Sequence, residues 1–199
     1  PWREVSSAVF SGMGSMGNGG AMRVAPVGAY FADDLARAAE VARLSAMPTH
    51  AHPDGQAGAV AVAVAAASAW QRRDAPDGGA MLRAALEYTP DGDTRGGVAR
   101  ALEFYEQGLS TRSAGRILGT GYRVISSDTV PFALLCAARH LDDYREALWT
   151  TVAGLGDRDT TCAIVGGIVA MAVGRAGLAE DWLAAREPLN FFDPPALSA

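Results

Sequence analysis

Apolar residues recur at helical spacing along most of the chain. Between Asp33 and Met47, Leu35, Ala38, Ala39, Ala42 and Ala46 fall on one face of a 3.6-residue period, with Asp33 or Asp34 available as a cap, and this predicts a helix. Gln56 to Arg73 is alanine-rich; Val60, Val62 and Val64 alternate as a strand would, but the length and alanine content of the run predict helix. Its apolar part, Ala57 to Trp70, is too short to cross a bilayer and reads as a buried core helix. The Pro- and Gly-containing stretches Asp74 to Gly79 and Pro90 to Gly97 predict turns, with short helices near Ala80 to Tyr88 and Val98 to Gln107.

Helical periodicity continues over Pro131 to His140, with Pro131 in the first turn behind Asp128 or Thr129 as cap, and over Tyr144 to Val152. Asp159 to Val173 is a Gly- and Ala-rich apolar segment expected to pack on several sides, and Leu178 to Arg186 predicts a last amphipathic helix before a Pro-containing tail. No strand pair and no internal repeat is visible. The expected fold class is all-α, and the length of 199 residues favours one domain, 1–199.

Composition narrows the function classes. A net charge of -5 without a run of basic residues argues against a protein whose main partner is a nucleic-acid backbone. No transmembrane segment or signal peptide is expected, because PWREVSSAVF lacks the basic, apolar and small-residue sequence of a leader. The two cysteines, Cys136 and Cys162, sit in apolar runs and are expected to be reduced, which points to the cytoplasm.

Three spots carry chemistry. In Gly156-Asp157-Arg158-Asp159-Thr160-Thr161, side chains two apart point to different sides of a helix, so the two carboxylates converge only where a loop runs into a helix start. A hard divalent cation between them, with the Thr160 hydroxyl as a further ligand, would relieve their repulsion. Spacing alone equally allows Asp159 to cap the helix while Asp157 is solvated beside Arg158. The second spot, Gly12 to Gly20, holds five glycines in GMGSMGNGG; it is either a structural turn or a backbone cradle for phosphate, and it matches neither the P-loop nor the dinucleotide fingerprint. In the third, Thr49-His50-Ala51-His52-Pro53, a histidine either contacts a ligand or caps the next helix; no Cys or His cluster completes a zinc site. His140 near a helix end is expected to compensate the helix dipole.

Taken in order, GNGGAMRVAPVGAYFADD (Gly17 to Asp34), THAHPDGQAGAVAVA (Thr49 to Ala63), GTGYRVISSDTVPFALLCA (Gly119 to Ala137) and GLGDRDTTCAIVGGIVA (Gly154 to Ala170) resemble the ADP-ribosylglycohydrolase family. The resemblance runs from about Trp2 to about Arg175. It implies a compact multi-helix domain and Mg2+-dependent hydrolysis of the glycosidic bond between ADP-ribose and a modified protein or small molecule. It implies metal-ligand roles for Asp157, Asp159 and Thr160 in a two-ion centre, with the two aspartates as the catalytic candidates of this chain; Mn2+ shares the same oxygen preference. It further implies that Gly14, Ser15, Met16, Gly17, Asn18 and Gly19 wrap the diphosphate and ribose, that His50 contacts the ligand, and that Gly121 and Tyr122 lie on the ribose and adenine side. Thr120 departs from the family's usual asparagine.

Family members also carry a Thr-Asp-Asp-Thr-type motif ahead of these segments, and nothing like it precedes Trp2. The expectation is therefore a domain lacking its N-terminal helices, with half a metal centre, the general acid or base elsewhere, and self-association through exposed core. Two other readings stand beside the hydrolase: an ADP-ribose-binding module without turnover, and a structural protein of the crystallin kind on the same scaffold.

Overall fold

The computed structural model describes residues 1–187; the Pro-containing tail at 191–199 lies outside the described residues. The chain is all-α. Its helices are α1 (Trp2–Ala8), α2 (Gly19–Met22), α3 (Ala25–Tyr30), α4 (Leu35–Ala46), α5 (Pro53–Gln71), α6 (Gly78–Tyr88), α7 (Asp93–Glu106), α8 (Thr111–Leu118), α9 (Ser126–Arg139), α10 (Tyr144–Val152), α11 (Arg158–Val173) and α12 (Glu180–Ala185), with a 3-10 turn at Arg175–Gly177. Among the described residues the only sheet-like pairing is an isolated antiparallel bridge between Gly17 and Ile125. No described helix is long and apolar enough to cross a membrane.

The helix starts follow side-chain chemistry. Asp34, Asp77 and Asp143 each accept the backbone N–H of the residue three further on at 2.9 Å, and Ser110 does the same for Ser113 at 3.2 Å. Each cap satisfies one of the donors that a helix leaves without an internal partner.

α5 is the axis of the molecule. Every residue from Ala57 to Ala69 is buried, so Val60, Val62 and Val64 are enclosed on successive helix faces rather than divided between two sides of a sheet. A helix that is apolar all round belongs in the centre. It touches α2, α3, α4, α6, α7, α9 and α11. Small side chains allow these neighbours to come close: a Cβ at Gly28 of α3 would lie 2.2 Å from the Ala63 carbonyl oxygen of α5. One continuous apolar cluster runs from Ala21 through Phe132, Leu134 and Leu135 of α9 to Ile164 and Ile168 of α11. Cys136 and Cys162 are both free thiols, and burial pushes Cys136 up to about 12.

Pro131 is not in the first turn. α9 begins five residues earlier, at Ser126, with Ile125 as the cap residue, and Pro131 is buried inside it. A proline ring there removes one helical donor. The site accepts it because Gly97 of α7 faces the ring, where even a Cβ would come within 2.5 Å of the Pro131 Cγ. The earlier start is secured from outside the helix, by Ser126 N–H donating to the Met16 carbonyl at 3.0 Å. α1, α2, α3 and α8 are additional to the helices expected from periodicity.

Gly28→Ala is expected to destabilise the fold by about 1–3 kcal/mol, the usual cost of overpacking a filled contact. Urea denaturation followed by circular dichroism measures it, and an unchanged midpoint would contradict the close α3–α5 contact.

Candidate functional site

Four segments distant in sequence meet at the start of α11. Asp157 is the cap residue of that helix, yet its carboxylate caps nothing: the backbone carbonyl receives Thr161 N–H at 3.0 Å and the Thr161 hydroxyl at 2.8 Å. The side chain turns instead to Asn18, whose Nδ2 donates to Asp157 Oδ2 at 2.7 Å and to Thr129 Oγ1 at 3.0 Å. Asn18 is buried, so its amide joins the glycine-rich loop, the start of α9 and the start of α11 through one side chain. Thr129 in turn donates to the Ile125 carbonyl at 2.8 Å.

The main chain reinforces this junction. Asn18 N–H donates to the Val124 carbonyl at 3.2 Å, Asp157 N–H to the Thr120 carbonyl at 3.1 Å, and Gly121 N–H to the Asp128 carbonyl at 2.9 Å. The Asp128 carboxylate accepts Arg123 N–H at 2.8 Å and so fastens the 119–125 loop. Two glycines are required by contact as well as conformation. Gly121 has φ +94 and a Cβ there would meet the Asp157 Cβ at 2.6 Å; Gly156 has φ +67 and would meet the Thr120 carbonyl oxygen at 2.2 Å.

Asp159 lies in the first turn of α11, exposed, within hydrogen-bonding range of Asp157. Its carboxyl is held below the ordinary carboxylate range, first by that contact with Asp157 and then by its own N–H and that of Thr160. Thr160 is buried, its hydroxyl 3.7 Å from the Met22 sulfur. The local alternative in which Asp157 is solvated beside Arg158 does not hold, while the Asp159 carboxyl does meet first-turn N–H groups of α11, its own and that of Thr160. Asp157 occupies the cap position, is half-buried, and has no ion pair with Arg158 among the described residues.

The glycine-rich loop lies over the start of α5. Gly14, at φ +73, packs where a Cβ would meet Ala51 and the His52 nitrogen; Ser15 Oγ accepts Gly17 N–H at 3.2 Å; the Met16 carbonyl is bound by Ser126. The two linker histidines divide the roles between them. His52 caps α5, its Nδ1 accepting Asp54 N–H at 3.1 Å, while the His50 ring sits beneath Gly17 and Gly19, 3.3 Å from the Cβ position of each. His50 Nδ1 lies 2.8 Å from the Thr49 hydroxyl, which also accepts from Arg23 at 2.7 Å. Burial first, and the Arg23 charge second, lower the pKa of His50 from 6.5. His140 is the residue that ends α9, its ring 3.2 Å from the Thr150 hydroxyl.

Around this polar centre the surface is apolar. Tyr122 is 74% exposed, and Phe10, Met13, Met22, Val124 and Leu155 are exposed on the same loops or beside them. All four non-glycine residues with positive φ among the described residues, Phe10, Ser11, Val124 and Leu155, belong to these loops. A β-branched residue such as Val124 at φ +56 is strained and persists only where its surroundings impose it. Here the Val124 carbonyl is committed to Asn18 and its N–H to Gly121. Asp128 and Thr129 entered the sequence reading only as candidate caps, and Ser126 carried no role there; hydroxyls and a carboxylate at a helix start were their only local signal.

An all-helical scaffold thus brings a glycine-rich loop, a buried histidine and an aspartate pair together at one helix start. The ADP-ribosylglycohydrolase family model matches residues 2–193, and the chain belongs to that family. It is 29% identical to the ADP-ribosylhydrolase ARH3 of Homo sapiens over 206 aligned positions, covering 90% of this chain and 56% of that protein. The ARH3 of Mus musculus is 28% identical over 90% of this chain and 55% of its own length. The chain thus spans about half the length of the curated relatives it matches.

Asn18→Ala is expected to lower stability by about 1–3 kcal/mol, because the Asp157 carboxylate and Thr129 hydroxyl lose a buried donor. Asn18→Asp should be worse at pH 7, since it sets a carboxylate against Asp157, and the difference between the two variants should shrink as pH falls and the carboxylates are protonated; denaturation midpoints at two pH values read this out. For His50 the sign follows from a folded pKa below the unfolded one. The unfolded chain takes up its proton first as pH drops through 6.5, so stability falls below that point until the folded-state pKa is passed. A nuclear magnetic resonance titration showing His50 ionising above 6.5 would contradict the buried placement.

Proposed function

We propose that this protein binds ADP-ribose at the junction of the glycine-rich loop and α11, and that it hydrolyses the glycosidic bond linking ADP-ribose to a modified protein or small molecule with the help of Mg2+. The observation that carries the reading is the Asn18 bridge. One buried amide fixes the Asp157 carboxylate of the pair against a glycine-rich loop. The apolar rim of Phe10, Met13, Tyr122 and Val124 around that centre suits a nucleoside, which offers flat apolar faces with polar edges.

The metal assignment rests on the donor set. Asp157 and Asp159 approach one another, and among the described residues no arginine or other basic side chain forms an ion pair with either. Juxtaposed carboxylates with no cationic partner fit a hard divalent ion, and the Thr160 hydroxyl adds an oxygen donor. Among the described residues no three His, Cys, Asp or Glu side chains gather as a metal cluster. Asp157, Asp159 and Thr160 would therefore hold only part of an ion's shell, the remaining positions falling to water and ligand hydroxyls. When bound, the ion supplies Lewis-acid orientation of the ribose hydroxyls and acidifies a water.

The chain's own residues do the rest. The main-chain N–H groups of Ser15, Met16 and Gly19, those of Gly14, Gly17 and Asn18 being already committed within the protein, bind and orient the ligand with the His50 edge, and Tyr122 borders its apolar part. Asn18 keeps the Asp157 carboxylate turned away from capping, so that it is free for the ligand side. In hydrolysis the bond from the anomeric carbon of the distal ribose to the acceptor breaks through an oxocarbenium-like state, water oxygen bonds to that carbon, and the water proton ends on the departing acceptor.

A second reading, binding without turnover, draws on the lack of a cluster of three His, Cys, Asp or Glu side chains among the described residues. Calorimetric titration with ADP-ribose in Mg2+ and again in EDTA, with Asp157→Asn as control, tests the proposal. The expected result is Mg2+-dependent binding weakened at least tenfold in Asp157→Asn, equivalent to about 1.4 kcal/mol; the asparagine still accepts from Asn18, so the junction survives while the charge is lost. Binding that ignores both EDTA and the substitution would sink the metal assignment, and absence of binding in both buffers would sink the ligand assignment. Release of free ADP-ribose from a modified protein separates hydrolysis from binding alone.

A further inference from the structure

Two adjoining clefts border the 119–125 loop. One, of about 390 Å³, opens beside Tyr122 and Leu155 and is lined by Arg112 and Arg116; the other, of about 510 Å³, continues from Arg116 past Arg123 to Arg100. They share Arg116, Gly119 and Asp128, so they form one groove running from the edge of the candidate site to the start of α7. On its wall, a Cβ at Gly96 would meet only open space.

The charge of this groove opposes that of the molecule. Four arginines, Arg100, Arg112, Arg116 and Arg123, line it against two aspartates, Asp93 and Asp128, on a chain of net charge -5. All four are exposed, and among the described residues none forms an ion pair. One of the two aspartates is already engaged, since Asp128 accepts the main-chain N–H of Arg123. Unpaired guanidinium groups facing a shared trough make a site for planar anions, which arginine grips in a two-point fashion.

We propose that this groove docks an acidic segment of the modified protein, its aspartate and glutamate side chains lying along Arg116, Arg123 and Arg100, while the ADP-ribose enters the neighbouring site. The proposal deepens the reading of that site and rests on it for the identity of the partner. Peptide fits better than nucleic acid. Among the described residues Tyr122 is the only aromatic on the lining, at one end, so successive bases would have no faces there to stack on. Exposed Ile117 and Leu155 instead offer apolar contacts between the charges.

The test is fluorescence anisotropy of a labelled glutamate-rich peptide with the full chain, against a lysine-rich peptide and a single-stranded oligonucleotide of equal charge. The expected result is saturable binding of the acidic peptide alone, weakening with salt as exposed charge interactions do. Reversing Arg100 and Arg116 together to Glu should weaken it about tenfold, from the modest attraction lost and repulsion gained at each exposed position. Arg100→Ala with Arg116→Ala should give a smaller loss in the same direction, with circular dichroism reporting that both variants stay folded. Acidic-peptide binding that survives charge reversal, no binding by the wild-type chain, or tighter binding of the oligonucleotide would each overturn the proposal. Because ADP-ribose is absent from this assay, a chain that binds the peptide but fails the calorimetric titration would remove the ADP-ribose reading and leave the groove standing.

Discussion

The arrangement of the site depends on a single buried amide. Asn18 donates to Asp157 and to Thr129 at once, and both partners come from segments more than a hundred residues away. A buried donor or carboxylate left without a partner costs about 1–3 kcal/mol, so the three segments cannot drift apart without penalty. That penalty does locally what the core does for the whole fold: it makes one arrangement much better than its neighbours. Because Asp157 is bound through its side chain to Asn18 and through its N–H to Thr120, the carboxylate is oriented before any ligand arrives.

The scaffold exists to deliver those segments to one place. α5 is enclosed on all sides, and its alanines let α3, α4, α9 and α11 lie close enough that the loops at their ends meet. The strain at Val124 and Leu155 is the local counterpart, held by hydrogen bonds to Asn18 and Gly121 at the first and to Val152 at the second. The centre of the junction is polar and satisfied, whereas its border is apolar and open to solvent.

The helical class and the long helices were legible from periodicity, because α4, α5, α10 and α11 have either a regular apolar face or an apolar run too long for a strand. α2 and α3, of 4 and 6 residues, are too short to show a period, and α8 was hidden between two glycine-containing turns. Pro131 misled because a first-turn proline is the common case, and the contact that lets it sit deeper comes from Gly97 on another helix. The aspartate pair was visible as a pair, but spacing could not say that Asp157 takes the cap position while its carboxylate turns to Asn18. The reach of Asn18 to Asp157, across 139 positions, has no local trace at all. The arginine groove was invisible for a related reason: its four cations are scattered from residue 100 to residue 123 and only the turn between α8 and α9 gathers them.

Most of the ties that register the loops are main-chain ties. Thr120 binds Asp157 through its carbonyl, Val124 binds Asn18 through its carbonyl, and Met16 receives Ser126 through its carbonyl. Such groups are present whatever side chain the position carries. Substitution there can accumulate over evolutionary time without loosening the junction, provided the glycines and Asn18 are kept. Thr120 holds Asp157 by its carbonyl, which any residue at that position would supply. Drift in these loops is then free to retune what the surface accepts while the carboxylate beneath it stays in register.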